Sequence, residues 1–261
     1  IINKVFINSN HMDHSEMKLI CIAATGTYNV ALVYAKEKNI EVKNVAGYSS
    51  SSVAQVAFSM IFHFVTKLNY YKNYVDEGNW QKSPIFTHID NPFFELDGKR
   101  VGIIGLGDIG RNFAFKANAF GCEVVYYSTS GKNSNSDYKR VELDELLKTS
   151  DIISIHCPLN ENTKDLLNYE NMKNIKDGAI LLNLGRGGII NESDLAKIID
   201  EKEIYCGIDV VSVEPILESN PLLKVKNKEQ LLLTPHIGWA SIEARRKLIS
   251  LVAKNIESFI F

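Results

Sequence analysis

An α/β fold built on a doubly wound parallel sheet is predicted by three features of the sequence. Short apolar runs alternate with helix-forming stretches along nearly the whole chain, which implies parallel βαβ packing. The apolar run at 101–104 leads into a glycine turn, Gly105-Leu-Gly-Asp-Ile-Gly110, and then into a helical segment ended by Gly121. Polar residues recur where the predicted strands end: Ser128, His156, Arg186, Asp209 with Glu214, and His236. In an open α/β sheet, that edge is where ligands bind.

At 261 residues and 45% hydrophobic, the chain can bury one large core or two ordinary ones. A formal net charge of -2 with no long basic run argues against a nucleic-acid partner. No stretch offers about 18 consecutive apolar residues, and nothing resembles a secretory leader. A soluble cytoplasmic protein is therefore the expectation. Cys21, Cys122, Cys157 and Cys206 are widely spaced, and all but Cys157 lie in clearly apolar strand-like runs. They read as reduced, buried small hydrophobes; neither a disulfide framework nor a metal is expected. The chain opens on Ile1, so an upstream segment is expected.

Taken in order, 5–7 reads as a strand and 8–16 as a polar loop, with His11 and His14 solvated. A strand at 19–23 ends in Ala24-Thr-Gly-Thr27, a loop with exposed backbone N–H groups; a helix at 30–38 and a strand at 42–45 follow. Ser51 or Ser52 is placed to cap a helix over 53–67, apolar on nearly every side and so buried, between domains or subunits. The segment 70–92, with Trp80, is aromatic and irregular: a loop over the core or an oligomer contact. After the glycine turn come a second strand (124–127), a polar loop (128–138), an acidic helix (143–148) and a strand at 152–155. A turn at Asp177-Gly178 opens the strand 179–184, and Asn191 caps a helix carrying Glu192 and Asp194 in its first turn. Strands at 207–211 and 231–233 precede a last helix from about Ser241, with Ile242, Ile249, Val252, Ile256 and Phe259 on one face.

The glycine spacing has a mechanical reading. The first glycine allows a tight turn and the second lets backbone approach a pyrophosphate. The third brings the helix close to the strand, and the helix N-terminus faces the phosphates, as in Rossmann-type dinucleotide sites. Arg186 stands between glycines, and its planar guanidinium can grip a carboxylate through two hydrogen bonds. His236, after Pro235, is the residue type best suited to exchange a proton near neutrality, and Glu214 could fix its tautomer.

Six motifs occur in register: Ala24-Thr-Gly-Thr27, the glycine turn, His156-Cys-Pro-Leu159, Asn183-Leu-Gly-Arg-Gly-Gly188, Asp209-Val-Val-Ser-Val-Glu-Pro215 and Thr234-Pro-His-Ile-Gly-Trp239. Together they resemble the D-isomer-specific 2-hydroxyacid dehydrogenases, especially the glycerate dehydrogenase (hydroxypyruvate reductase) group. The resemblance implies a Rossmann-type cofactor domain over 52–237. It also implies a smaller flavodoxin-like substrate domain over 1–51 and 238–261, lacking its first strand–helix unit. It implies hydride transfer between NAD(P)H and a small 2-oxo acid such as hydroxypyruvate or glyoxylate. Arg186, Glu214 and His236 match the catalytic residues, and Thr25, Gly26, Arg186 and Trp239 the substrate contacts. Gly105, Gly107, Asp108, Ile109, Gly110, Ser128, His156, Cys157, Pro158, Thr163, Asn183, Leu184, Gly185, Asp209, His236 and Gly238 match the cofactor-binding positions. Trp80 falls in the arm that family dimers exchange, so a homodimer is implied.

Ser128 departs from the pattern. It stands where an acidic residue usually accepts hydrogen bonds from the adenosine ribose and repels a 2′-phosphate. With Lys132 nearby, NAD and NADP both stay open. Two other readings fit the fold: a nucleotide-sensing corepressor, and a formate dehydrogenase, in which glutamine replaces the position held here by Glu214.

Overall fold

The computed structural model describes residues 1–132, 135 and 137–261; the predicted polar loop at 128–138 thus lies partly outside the described residues. The chain divides into two units, Ile1–Ser52 with Trp239–Phe261, and Val53–Gly238.

In the first unit, Asn8 caps a short helix, α1 (Ser9–Asp13), by accepting from the His11 backbone, and the His11 ring answers the Asn8 N–H. This pairing turns part of the expected polar loop into a helix. Then come β1 (Leu19–Cys21), α2 (Leu32–Glu37) and β2 (Glu41–Lys43). The two strands pair in parallel, with single bridges Ile2 to Ile22 and Ile7 to Val30 alongside. Ile20, Ile22, Val30, Ala35 and Ile40 form the core on one side.

Helix α3 (Ser50–Thr66) starts a turn earlier than the sequence predicts. Ser51 and Ser52 therefore sit inside it, and the Ser52 hydroxyl accepts from the Ser241 N–H instead of capping. From Val53 on, its apolar surface is covered by the second unit's own sheet and helices, which explains why it is oily all round. Phe58 meets Phe113 at 4.9 Å and Phe64 meets Tyr205 at 5.5 Å between ring centroids.

Next, α4 (Leu68–Asp76) makes regular half of what the sequence suggests is an irregular arm. Its Tyr70, Tyr71 and Tyr74 gather on His88, with the Tyr74 and His88 rings stacked at 3.8 Å. The strands and helices then alternate: β3 (Arg100–Ile104), α5 (Asp108–Ala119), β4 (Glu123–Tyr127), β5 (Lys139–Arg140), α6 (Leu143–Thr149), β6 (Ile152–Ile155) and α7 (Tyr169–Met172). After these come β7 (Ala179–Asn183), α8 (Glu192–Glu201), β8 (Ile204–Ile208), β9 (Leu231–Leu233) and, back in the first unit, α9 (Ile242–Ile260).

The seven strands of the second unit run parallel in the order β5-β4-β3-β6-β7-β8-β9. The order reverses between β3 and β6, the mark of a doubly wound sheet. Strand residues alternate between two cores: Val101, Ile103, Ile152, Ile180 and Leu182 face one, and Ile104, Ile153, Ile155 and Leu181 the other. Both faces are covered, as parallel sheets require.

Two further predictions need correction, and one element was not predicted. β8 lies three residues earlier than the 207–211 run, and within it Gly207 sits under Met60 and Leu182, where any larger residue would collide. Asp209 is thus released from the strand to its end. α7, capped by Asn168, is too short to show a helical period in the sequence. α9 buries Ala244, Leu248 and Val252, spaced by four, while Ile242, Ile249 and Phe259 stay exposed. Among the described residues no helix is long and apolar enough to cross a membrane.

Candidate active site

The glycine turn between β3 and α5 leaves room for a ligand. Gly105 has φ +96°, and a Cβ there would come within 2.7 Å of the Cys157 backbone nitrogen. Gly110 packs against the Gly105 carbonyl so closely that no side chain fits. Gly107, at the helix cap, has open space where a side chain would be, and no side chain caps the helix. Asp108 and Ile109 open the first turn, Asp108 pairing with Arg111. The helix N-terminus keeps its N–H groups for an incoming anion. These features fit the diphosphate of a dinucleotide.

Arg186, Glu214 and His236 follow three neighbouring parallel strands, β7, β8 and β9, so they share one edge of the sheet. Buried polar side chains at two strand ends, Asn183 and Asp209, hold the backbone around Arg186 and around His236. After β7, Asn183 is 2% exposed; its amide donates to the Arg186 carbonyl at 2.9 Å and accepts from the Gly185 N–H at 3.1 Å. The Arg186 guanidinium donates to the Gly185 carbonyl. Leu184 turns inward and is buried.

After β8, the buried Asp209 carboxylate accepts from three donors, the Thr234 hydroxyl (2.6 Å) and the Ile237 and Gly238 N–H groups (both 2.8 Å). Its carbonyl also accepts from the His236 N–H. This web holds His236 at φ +54°, a left-handed conformation that costs a side-chain-bearing residue on the order of 1 kcal/mol. The His236 Nδ1 lies 2.7 Å from Glu214 Oε2. A carboxylate can only accept, so Nδ1 carries the proton and Nε2 is left to act on a ligand.

Around the glycine turn, Thr163 is fully buried and stitches its loop, donating to the Pro158 carbonyl at 2.7 Å and accepting from the Asn160 N–H. Burial pushes the Cys157 thiol up to about 12. Burial likewise lowers His156 to about 3, keeping it neutral. Its Nε2 shares a 2.9 Å hydrogen bond with Ser154, while Nδ1 is buried without a partner among the described residues. Ser128, 3% exposed at the end of β4, also has a hydroxyl oxygen with no partner among the described residues. A buried hydroxyl left open in this way suits a ligand hydroxyl or phosphate oxygen.

Thr25, Gly26 and Trp239 belong to the first unit. Thr25 is fixed there by its hydroxyl on the Val45 carbonyl (3.1 Å) and by Asn44 on its own carbonyl (2.6 Å), and Trp239 packs in a cluster with Cys21, Val45 and Tyr48. Sequence reasoning missed the supporting side chains Ser154, Thr234 and Asn220, and credited Glu192 only with a helix-end charge. Small polar residues beside a motif carry no periodicity, so only the fold reveals their partners.

Residues 58–238 match the family model described as D-isomer specific 2-hydroxyacid dehydrogenase, NAD binding domain. A hydroxypyruvate reductase of Blautia hydrogenotrophica is 41% identical over 249 residues, covering 94% of this chain and 76% of that protein. Among solved structures, an acyclic imino acid reductase in complex with NADPH and D-Arg superposes with a TM-score of 0.86 at 30% identity, covering 99% of this chain and 81% of that one. A D-lactate dehydrogenase from Aquifex aeolicus, complexed with NAD and lactic acid, gives 0.85 at 27% identity, covering 97% and 80%. With its strand-end arginine, glutamate and histidine on a glycine-turn sheet, the chain belongs to the D-isomer-specific 2-hydroxyacid dehydrogenases, enzymes that use a nicotinamide dinucleotide.

Proposed function

We propose that this chain reduces a small 2-oxo acid, hydroxypyruvate to D-glycerate or glyoxylate to glycolate, and catalyses the reverse oxidation. The unit 53–238 serves as cofactor domain and the unit formed by 1–52 and 239–261 as substrate domain. When bound, the reduced nicotinamide supplies a hydride to the substrate carbonyl carbon. Arg186 holds the substrate carboxylate and polarises its carbonyl, aided by the Thr25-Gly26 backbone, and Trp239 shapes the side-chain pocket. His236, with Nδ1 donating to Glu214, delivers the Nε2 proton to the carbonyl oxygen as negative charge develops there. Hydride plus proton completes the alcohol. The single observation that carries this reading is the 2.7 Å contact between His236 and Glu214.

The glycine turn, His156, Cys157, Pro158, Thr163 and Asn183 to Gly185 hold the cofactor, and Gly238 with Asp209 borders its nicotinamide end. Two features favour NADP(H). The turn at 128–132 offers hydroxyls and Lys132 but no carboxylate, and the Arg140 guanidinium donates to the Gly131 carbonyl at 2.9 Å, bringing a fixed cation to the same turn. A homodimer through the arm around Trp80 is supported by its exposed aromatic surface, where Phe86 is 89% and Trp80 53% exposed. The four unpaired cysteines suit a reducing cytoplasm.

The deciding experiment assays hydroxypyruvate, glyoxylate, pyruvate and 2-oxoisocaproate with NADH and NADPH at 340 nm. Turnover of the first two above the others is expected. Cofactor binding without oxidation by any 2-oxo acid would refute the proposal.

A further inference from the structure

The loop that carries Glu214 is thinly anchored. Residues 212–219 are all exposed, and the loop ends at the buried Asn220. Both ends of this exposed stretch are tied to one carboxylate, that of Glu192, the first residue of α8. Its Oε1 accepts from the Ser212 N–H (2.6 Å) and the Ser212 hydroxyl (2.7 Å). Its Oε2 accepts from the Asn220 side-chain amide at 2.7 Å. Asn220 is itself committed, since its Oδ1 accepts from the Leu222 N–H at 3.0 Å. The same α8 is reached directly from Arg186 through Gly187, and Gly187 is pressed on the Val211 carbonyl and the Ser212 nitrogen so tightly that a Cβ there would collide with both.

We infer that Glu192 is a positioning residue: it closes the 212–220 loop like a clasp and keeps Glu214 in register with His236, and the dyad in register with Arg186. Three charge-assisted hydrogen bonds to one helix end tie both ends of this loop to the same carboxylate. The inference rests on the reading of His236 and Glu214 as the acid dyad, so the test begins with that reading. In one assay of 2-oxo acid reduction, H236A must lose turnover. If H236A turns over like the native enzyme, the dyad reading fails and the clasp has nothing to act through.

With H236A inactive, E192A and the isosteric E192Q are compared with E214Q and with E192A/E214Q. E192A is expected to lower kcat about 10- to 100-fold, the scale of a small misplacement of a catalytic group. Cofactor Kd, read from quenching of protein fluorescence, should stay within about twofold, because the glycine turn is untouched. In the E214Q background the same substitution should cost less than about twofold, since its effect runs through Glu214. The swapped pair E192Q/N220D exchanges donor and acceptor across the clasp, and kcat should recover relative to E192Q alone. Native kcat in both E192A and E192Q overturns the inference. So does an equal loss with and without E214Q, which would mean that Glu192 supports the fold at large.

Discussion

At the scale of single residues, His156 shows how burial can set chemistry without any charged neighbour. Desolvation alone lowers it to about 3 against an ordinary 6.5. The folded state thus favours the neutral ring. Its contribution to stability is complete above about pH 6.5 and is lost as pH falls from there toward 3, by up to about 1.4 kcal/mol per pH unit. H156N should therefore lose less stability than the native protein between pH 7 and pH 5, as read from guanidinium unfolding curves. Equal losses would show that this ring does not drive the acid response. The residues proposed to bear the chemistry stand out in the sequence because their motifs are distinctive: Arg186 flanked by glycines, and His236 behind a proline. Asp209 was legible as a carboxylate near a strand end and, through the family resemblance, as a cofactor-binding position, but not as the hub of a hydrogen-bond web. Its three donors come from 25 to 29 residues away, a pairing no local pattern reveals.

At the scale of elements, the strand-end loops depend on close backbone contact. Gly187 is the sharpest case, because it lets the arginine loop lie directly on the start of the glutamate loop. G187A should push the two apart. We expect kcat for 2-oxo acid reduction to fall about tenfold or more while cofactor affinity holds; unchanged kcat would mean that the loops move independently. Elements with strong local signals were read correctly: Asn191 does cap α8, accepting from the Asp194 N–H, and Ser241 caps α9. Elements set by tertiary contact were not. Gly207 of β8 lies under Met60 and Leu182, a packing no local pattern shows, and α4 presents tyrosines to its own neighbourhood rather than to a core. On α9 the predicted face was right at Val252 and Ile256, which pack inward, and wrong at the exposed Ile242, Ile249 and Phe259, whose place is taken by Ala244 and Leu248.

At the scale of the whole molecule, a net charge of -2 is nearly neutral, so the proposed preference for NADP(H) rests on local charge at the end of β4. S128D would set a carboxylate against a 2′-phosphate at the end of β4. The ratio of kcat/KM for NADPH to that for NADH should fall by about tenfold or more, since like charges in contact cost several kcal/mol. R140A should weaken NADPH while sparing NADH. Preference unmoved by either change would relocate the discrimination elsewhere. The doubly wound order itself was within reach of the sequence, because alternation and one glycine turn leave few topologies. The Ser128 hydroxyl, without a partner among the described residues, was not, because it depends on what the fold leaves uncovered.

The four buried thiols carry one more consequence. Cys21 lies in the first unit and Cys122, Cys157 and Cys206 in the second, all without a disulfide. Burial raises every one of them, Cys122 to about 11. A thiol that is neither ionised nor accessible reacts only when its surroundings open. Alkylation followed by peptide mass spectrometry would then act as a pair of clocks, one timing the opening of each unit, with no label added to the enzyme beforehand.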